Sequence, residues 1–402
     1  MFHRKFLSKT VSNLTFAVRS PSCLSRTFSE KSTENDKIPE DSRETVVSKL
    51  LEESATFSEA KDTNWATNPY PETAPVNQQK QPEKEKVLPS DNSILLFPGQ
   101  GVLKVGMVRD YLRFPRAKEL FSIASEILEY DLLKLCLHGP QKQLDKTEFN
   151  QPATVVASLA ALEKLIEERP RVLQTCRAAG GYSLGELTAL IFSGAIDFES
   201  GIKLVNVRGK AMEAASEKSK QGMLFVYTRP DAKIHQVCKD AEAWARDLGV
   251  EEPVCRIAIY LYTQAKILAG NDEALRYVEE NSSKLGLRKV TRLPVSGAFH
   301  TCLMEPAVEP FKNALNGTVI EEPRISVLSN HSVKRYRNQK DIRKGLLKQL
   351  VTSVKWEQTL QMLYTRPAGT PFPRTFDLGS GGQLRTILKN VNSKAYDWCY
   401  SI

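Results

Sequence analysis

The chain is 402 residues long, 41% hydrophobic and 26% charged, the balance of an ordinary globular protein with enough chain for one or two domains. No stretch approaches the roughly 20 consecutive apolar residues that a membrane-spanning helix needs, so no membrane span is expected. Seven cysteines are scattered without a C-x-x-C pair, which argues against a disulfide framework or a zinc site and suits a reducing compartment.

In chain order, residues 1–28 (MFHRKFLSKTVSNLTFAVRSPSCLSRTF) stand apart. They carry Arg4, Lys5, Lys9, Arg19 and Arg26, no acidic residue and many serines, the composition of a transit peptide for the mitochondrial matrix. Charge interrupts their apolar residues, so a secretory signal fits poorly. Without them, five of the 56 Lys and Arg are lost against an unchanged 47 Asp and Glu, and the net charge falls from +9 to +4. So mild a balance is compatible with an acidic protein partner and gives no reason to expect nucleic acid.

Residues 29–91 are polar and rich in Glu, Lys, Asn, Gln and Pro, as in NPYPETAPVNQQKQPEKEK, and read as a disordered linker. One amphipathic patch inside it, SRETVVSKLLEESATF, is long enough for a helix and too short for a domain. The pattern then changes. SILLF (93–97) reads as an apolar strand and PGQG as the turn after it. Helical stretches follow (PRAKELFSIASEILEY and QPATVVASLAALEKLIEE) before a strand that runs into AAGGYSLGELTAL (178–190). Strand, turn and helix in this order predict a hydrolase-like α/β core with a parallel sheet, built from residues 92–221 and 296–395, with reactive groups at strand ends. Residues 222–295 interrupt it. GMLFVYT reads as strand, DAKIHQVCKDAEAWARDLG as helix, VCRIAIYLYT and AKILAG as strands, NDEALRYVEENSSKLG as helix and KVTRLPV as strand. That order, βαββαβ, predicts an inserted ferredoxin-like subdomain.

Within AAGGYSLGELTAL, Gly181-Tyr182-Ser183-Leu184-Gly185 has the G-x-S-x-G form of a nucleophile elbow, in which a serine on a sharp strand-to-helix turn exposes its hydroxyl. The same spacing also serves as a glycine-rich helix start in other α/β proteins. A serine hydroxyl needs a base, and five histidines are available. His3 falls in the transit peptide. His138, His235 and His331 have no supporting pattern. His300, in VSGAFHTCLMEP, follows a strand and a glycine turn, where a strand-end base would sit. Asp197, Asp231, Asp240 and Asp272 lie between Ser183 and His300, and composition favours none of them as a third triad member.

Five motifs now occur in a fixed order: FPGQG (97–101), GYSLGE (181–186), VRGKAM (207–212), GAFH (297–300) and QLVTSVKW (349–356). In this the chain resembles the malonyl-CoA:acyl carrier protein transacylases, the animal mitochondrial members included, over roughly residues 92–395. The resemblance implies Ser183 as the nucleophile that carries a malonyl ester and His300 as its base, the ring oriented by the main-chain carbonyl of Gln349. It implies an oxyanion hole from the backbone N–H groups of Gln100 and Leu184, and Arg208 as the holder of the malonyl carboxylate. A guanidinium suits that task because it meets a carboxylate with two parallel charge-assisted hydrogen bonds. Phe299 is implied as a specificity residue whose ring crowds an α-methyl branch. Malonyl-CoA and the mitochondrial acyl carrier protein are the implied partners, in type II fatty acid synthesis, with no metal or bound cofactor. Basic residues 334–348 are a candidate docking surface for the acidic carrier.

The sequence departs from the family pattern at several places. Tyr182 precedes the serine where His or Phe is usual, and Val102 and Leu103 replace polar residues after GQG. Ile259 stands where many relatives have asparagine, and Ser380 replaces the proline of a GPG loop. Two other readings stay open at this level. One is a serine esterase or thioesterase sharing the elbow, against which Arg208 and the missing triad acid both argue. The other is a basic RNA-contacting protein, for which the interleaved aromatic and basic residues are lacking.

Overall fold

The computed structural model describes residues 91–402. The expected transit peptide, nearly all of the expected linker and the amphipathic patch within it lie outside those residues. In chain order the main elements are β1 (Ser93–Phe97), α1 (Pro115–Leu128), α2 (Thr147–Glu168), β2 (Cys176–Gly181), α3 (Leu184–Phe192) and α4 (Phe198–Ser216). Next come β3 (Gln221–Thr228), α5 (Ile234–Asp247), β4 (Cys255–Tyr262), β5 (Ala265–Asn271), α6 (Asp272–Glu280) and β6 (Leu287–Arg292). The chain closes with α7 (Glu305–Asn316), β7 (Ser326–Val327), α8 (Gln339–Val351), α9 (Trp356–Leu363), β8 (Arg374–Asp377), α10 (Gln383–Val391) and β9 (Cys399–Ser401).

The first sheet has the order β7-β2-β1-β8-β9, and every neighbouring pair is parallel. Its central strand β1 is buried at all five positions, which is why SILLF shows no alternation of polar and apolar residues. Ser93, the polar residue in it, donates its hydroxyl to the Val172 carbonyl at 3.0 Å. α2 is buried nearly all round and packs against α1, α3 and α4. It begins one turn before the QPATVV run suggests. Pro152 therefore sits in its second turn instead of opening it.

The second sheet has the order β4-β5-β3-β6 and is antiparallel throughout. With α5 and α6 it forms the expected βαββαβ unit. Leu224 and Val226 of β3 face those helices, while Met223 joins the main core, so the period-two alternation of one strand serves two hydrophobic clusters. β4 is tied to the motif segment 349–356 by two backbone bonds, Tyr260 N–H to the Val354 carbonyl (2.9 Å) and Val354 N–H to the Ala258 carbonyl (2.8 Å). Buried Ile259, at this junction, spends itself on packing.

Candidate active site

The carboxyl ends of β2, β1 and β7 lie side by side, the place where open parallel sheets present reactive groups. The elbow follows β2. Ser183 has φ 52° and ψ −107°, a conformation unfavourable for any residue with a Cβ. Both elbow glycines are sterically required. A Cβ on Gly181 would collide with the Gly185 carbonyl and the Glu186 nitrogen, and one on Gly185 would collide with the Phe97 carbonyl. The strained turn is clamped from the next strand. Asn330, three residues past β7 and fully buried, accepts the Ser183 N–H at 2.7 Å and donates to the Gly181 carbonyl at 2.7 Å.

His300 brings Nε2 to 2.8 Å from the Ser183 hydroxyl and Nδ1 to 2.7 Å from the Gln349 carbonyl. A carbonyl can only accept, so Nδ1 carries the proton and Nε2 is left bare toward the serine. Burial holds the imidazole down to about 4 on the pKa scale; the Gln349 carbonyl works against this and the nearby Arg208 charge adds to it. At neutral pH the ring is the free base.

Arg208 on α4 is buried and has two neutral partners, Gln151 Oε1 at 2.8 Å and Gln349 Oε1 at 2.9 Å. Burial lowers its pKa to about 10, opposed by the Glu186 charge, so it remains a cation. The Gln349 side chain also donates to the Ser183 carbonyl (2.8 Å) and to Glu186 Oε2 (2.6 Å). One residue thus meets imidazole, serine and guanidinium together.

Gln100 lies in the turn after β1, which packs directly on the elbow: the Tyr182 N–H donates to the Phe97 carbonyl at 2.9 Å. A Cβ on Gly99 would come within 2.8 Å of the Tyr182 ring. The Gln100 side chain accepts from Gln151 (3.2 Å) and donates to Thr147 (3.3 Å), which leaves its backbone N–H without a partner among the described residues. Leu184 opens α3, so its N–H has no carbonyl four residues back within the helix. Phe299 is buried beside His300, its ring folded back over Gly297. Tyr182 packs on Trp356, ring centroids 5.4 Å apart, and Ser380 donates to Asp377 at 2.5 Å, so neither departure from the family pattern disturbs this cluster. His331 is half-buried, its Nδ1 2.8 Å from the Thr352 hydroxyl.

Three participants escape a sequence reading: Gln151, Glu186 and Asn330. Only Glu186 left a signal there, as the single charged residue in the helix LGELTALIF. Among the described residues no helix is long and apolar enough to span a membrane, and no group of three potential metal ligands occurs.

Residues 94–368 match the family model described as acyl transferase domain. The chain is 46% identical over 331 residues to the probable mitochondrial malonyl-CoA-acyl carrier protein transacylase of Drosophila melanogaster, covering 81% of this chain and 87% of that one. It is 48% identical over 312 residues to the mitochondrial malonyl-CoA-acyl carrier protein transacylase of Homo sapiens, covering 78% and 80%. Among solved structures, the malonyl CoA-acyl carrier protein transacylase from Coxiella burnetii superposes with a TM-score of 0.70 at 29% identity, covering 78% and 94%.

Proposed function

The chain belongs to the malonyl-CoA-acyl carrier protein transacylases, and from that premise we infer the part each residue of the site plays. The protein is a mitochondrial acyltransferase that moves malonyl groups from malonyl-CoA to the phosphopantetheine thiol of acyl carrier protein, for fatty acid synthesis. The observation that carries the residue assignment is the chain Ser183 Oγ, His300, Gln349, Arg208, four groups in continuous hydrogen-bond contact.

Ser183 attacks the thioester carbonyl as His300 Nε2 takes its proton, and the imidazolium is steadied by the Gln349 carbonyl. The developing oxyanion is received by the N–H groups of Gln100 and Leu184, neither of which has another partner among the described residues. Arg208 receives the distal carboxylate. Its resting partners are amide oxygens, which a charged carboxylate outcompetes. Pairing with that carboxylate also cancels the Arg208 charge that depresses His300, so malonyl makes the base stronger at the moment it is needed. CoA leaves with the proton from His300, the carrier thiol enters, and the same steps run in reverse. The buried clamp holds the ester until that thiol arrives, which favours transfer over hydrolysis. Phe299, packed beside the base, limits room for an α-methyl branch.

Intact-mass spectrometry of the protein after brief mixing with malonyl-CoA tests this assignment. A malonyl adduct is expected on the wild type, none on Ser183→Ala, much less on Arg208→Ala, and the adduct disappears on adding carrier protein. Free malonate accumulating without an adduct would overturn it in favour of a thioesterase.

A further inference from the structure

We propose that Glu186 is the positioning residue that makes the clamp selective for a carboxylate: its charge decides which end of the Gln349 amide faces Arg208. The inference rests on Ser183 and Arg208 acting as assigned above.

Glu186 lies three residues after Ser183 and has no exposed surface. Its Oε1 accepts the Tyr336 hydroxyl, and its Oε2 accepts from Gln349 Nε2 (2.6 Å) and from the Asn330 N–H (3.1 Å). Three donors converge on it, an arrangement that suits the ionised carboxylate. Burial nevertheless raises its pKa, to about 7, against the pull of those donors.

The two hydrogens of the Gln349 amide go to Glu186 and to the Ser183 carbonyl, leaving its oxygen for Arg208. Turning the amide over would set its oxygen against a carboxylate and a carbonyl, and its NH2 against a guanidinium. All three contacts would become repulsive. Of the two acceptors that hold the NH2, Glu186 alone is charged, so it sets the orientation most strongly, and Gln349 relays it to Arg208.

The relay explains why the carboxylate stands one residue back. A carboxylate in direct contact with Arg208 would neutralise it and compete with the substrate. At one remove it offsets part of the cost of burying the cation, orients an acceptor, and leaves the guanidinium free for an incoming anion. Acetyl donors lack the distal carboxylate, so acetyl loading of Ser183 reports on nucleophile and base alone. The malonyl-to-acetyl ratio reads the clamp.

The test is a quench-flow measurement of Ser183 loading by malonyl-CoA and by acetyl-CoA, with folding checked by thermal melting. In Glu186→Gln the new amide keeps its oxygen on the Asn330 N–H and Gln349 and turns its NH2 to the Tyr336 hydroxyl, so Gln349 loses its charged anchor and its oxygen is held less firmly against Arg208. The malonyl-to-acetyl ratio should fall about tenfold, the worth of one charge-assisted hydrogen bond. Gln349→Met removes the relay and keeps the main-chain carbonyl for His300. It should lower the ratio similarly, and the double variant should add no more than about twofold to either. Both rates falling together with an unchanged ratio, or additive effects, would overturn the proposal and leave Glu186 as a brace for the elbow. Should Glu186→Gln fail to fold, Gln349→Met alone decides: a lowered ratio supports, an unchanged ratio overturns. A wild type that shows neither loading nor a malonyl preference would instead defeat the assignment of Ser183 and Arg208.

Discussion

Nε2 of His300 lies 2.8 Å from Oγ of Ser183 while the other ring nitrogen is committed to a carbonyl. This pair needs no aspartate, because a fixed carbonyl selects the tautomer as a carboxylate would, at the cost of stabilising the imidazolium less. Ser183→Ala should abolish the acyl adduct. His300→Ala should slow serine loading by about 10²- to 10⁴-fold, the usual contribution of a positioned base, as read by single-turnover quench.

The pH dependence follows from the depressed pKa of His300. The ring is neutral in the folded protein down to about pH 4, so acetyl loading should show no loss of base near pH 6.5 and should fall only on approach to pH 4. The unfolded chain binds this proton at about 6.5. Between those values it holds more protons than the folded chain, so this residue's contribution to stability declines as the pH drops through that window. A quench series on acetyl loading across pH 4–8 checks the first point. An acid limb centred near 6.5 would refute it.

Arg208 offers a separable readout. Arg208→Lys supplies one compact ammonium for two divergent acceptors and cannot bracket a carboxylate, so malonyl loading should drop about 10- to 100-fold while acetyl loading drops far less. Because the guanidinium charge helps to depress His300, Arg208→Met should raise the imidazole pKa. NMR titration of the labelled ring measures that shift directly.

Asn330 braces the strained elbow through its side chain. Asn330→Ala orphans the Ser183 N–H and the Gly181 carbonyl, each at about 1–3 kcal/mol for a buried unpaired group. The midpoint of denaturant unfolding should fall accordingly, and the turnover rate with it, since the backbone of Ser183 is then free to relax.

Gly185→Ala should be, with Gly181→Ala, among the harshest small substitutions in the site. The added Cβ would strike the Phe97 carbonyl of the central strand, where neither backbone has room to move. Destabilisation beyond about 4 kcal/mol is expected, seen as loss of soluble protein. Soluble, active Gly185→Ala protein would contradict the close approach.

The elbow, the α/β core and the βαββαβ insertion were legible in the amino-acid sequence because each depends on neighbours in the chain. A glycine pair around a serine, an apolar run before a Pro-Gly turn and the alternation within β3 are all written within a few residues. The order of five motifs then pointed to Ser183, His300, Arg208 and the Gln349 carbonyl. What only the tertiary structure decided is the second half of the site: the Gln349 side chain meeting Ser183 across 166 residues of chain, Arg208 bracketed by Gln151 and Gln349, and Asn330 holding an elbow 147 residues away. Those partnerships exist because the parallel crossovers set the ends of β7, β2 and β1 side by side. A buried amide or carboxylate takes whatever partner that juxtaposition supplies, and no local periodicity records the choice.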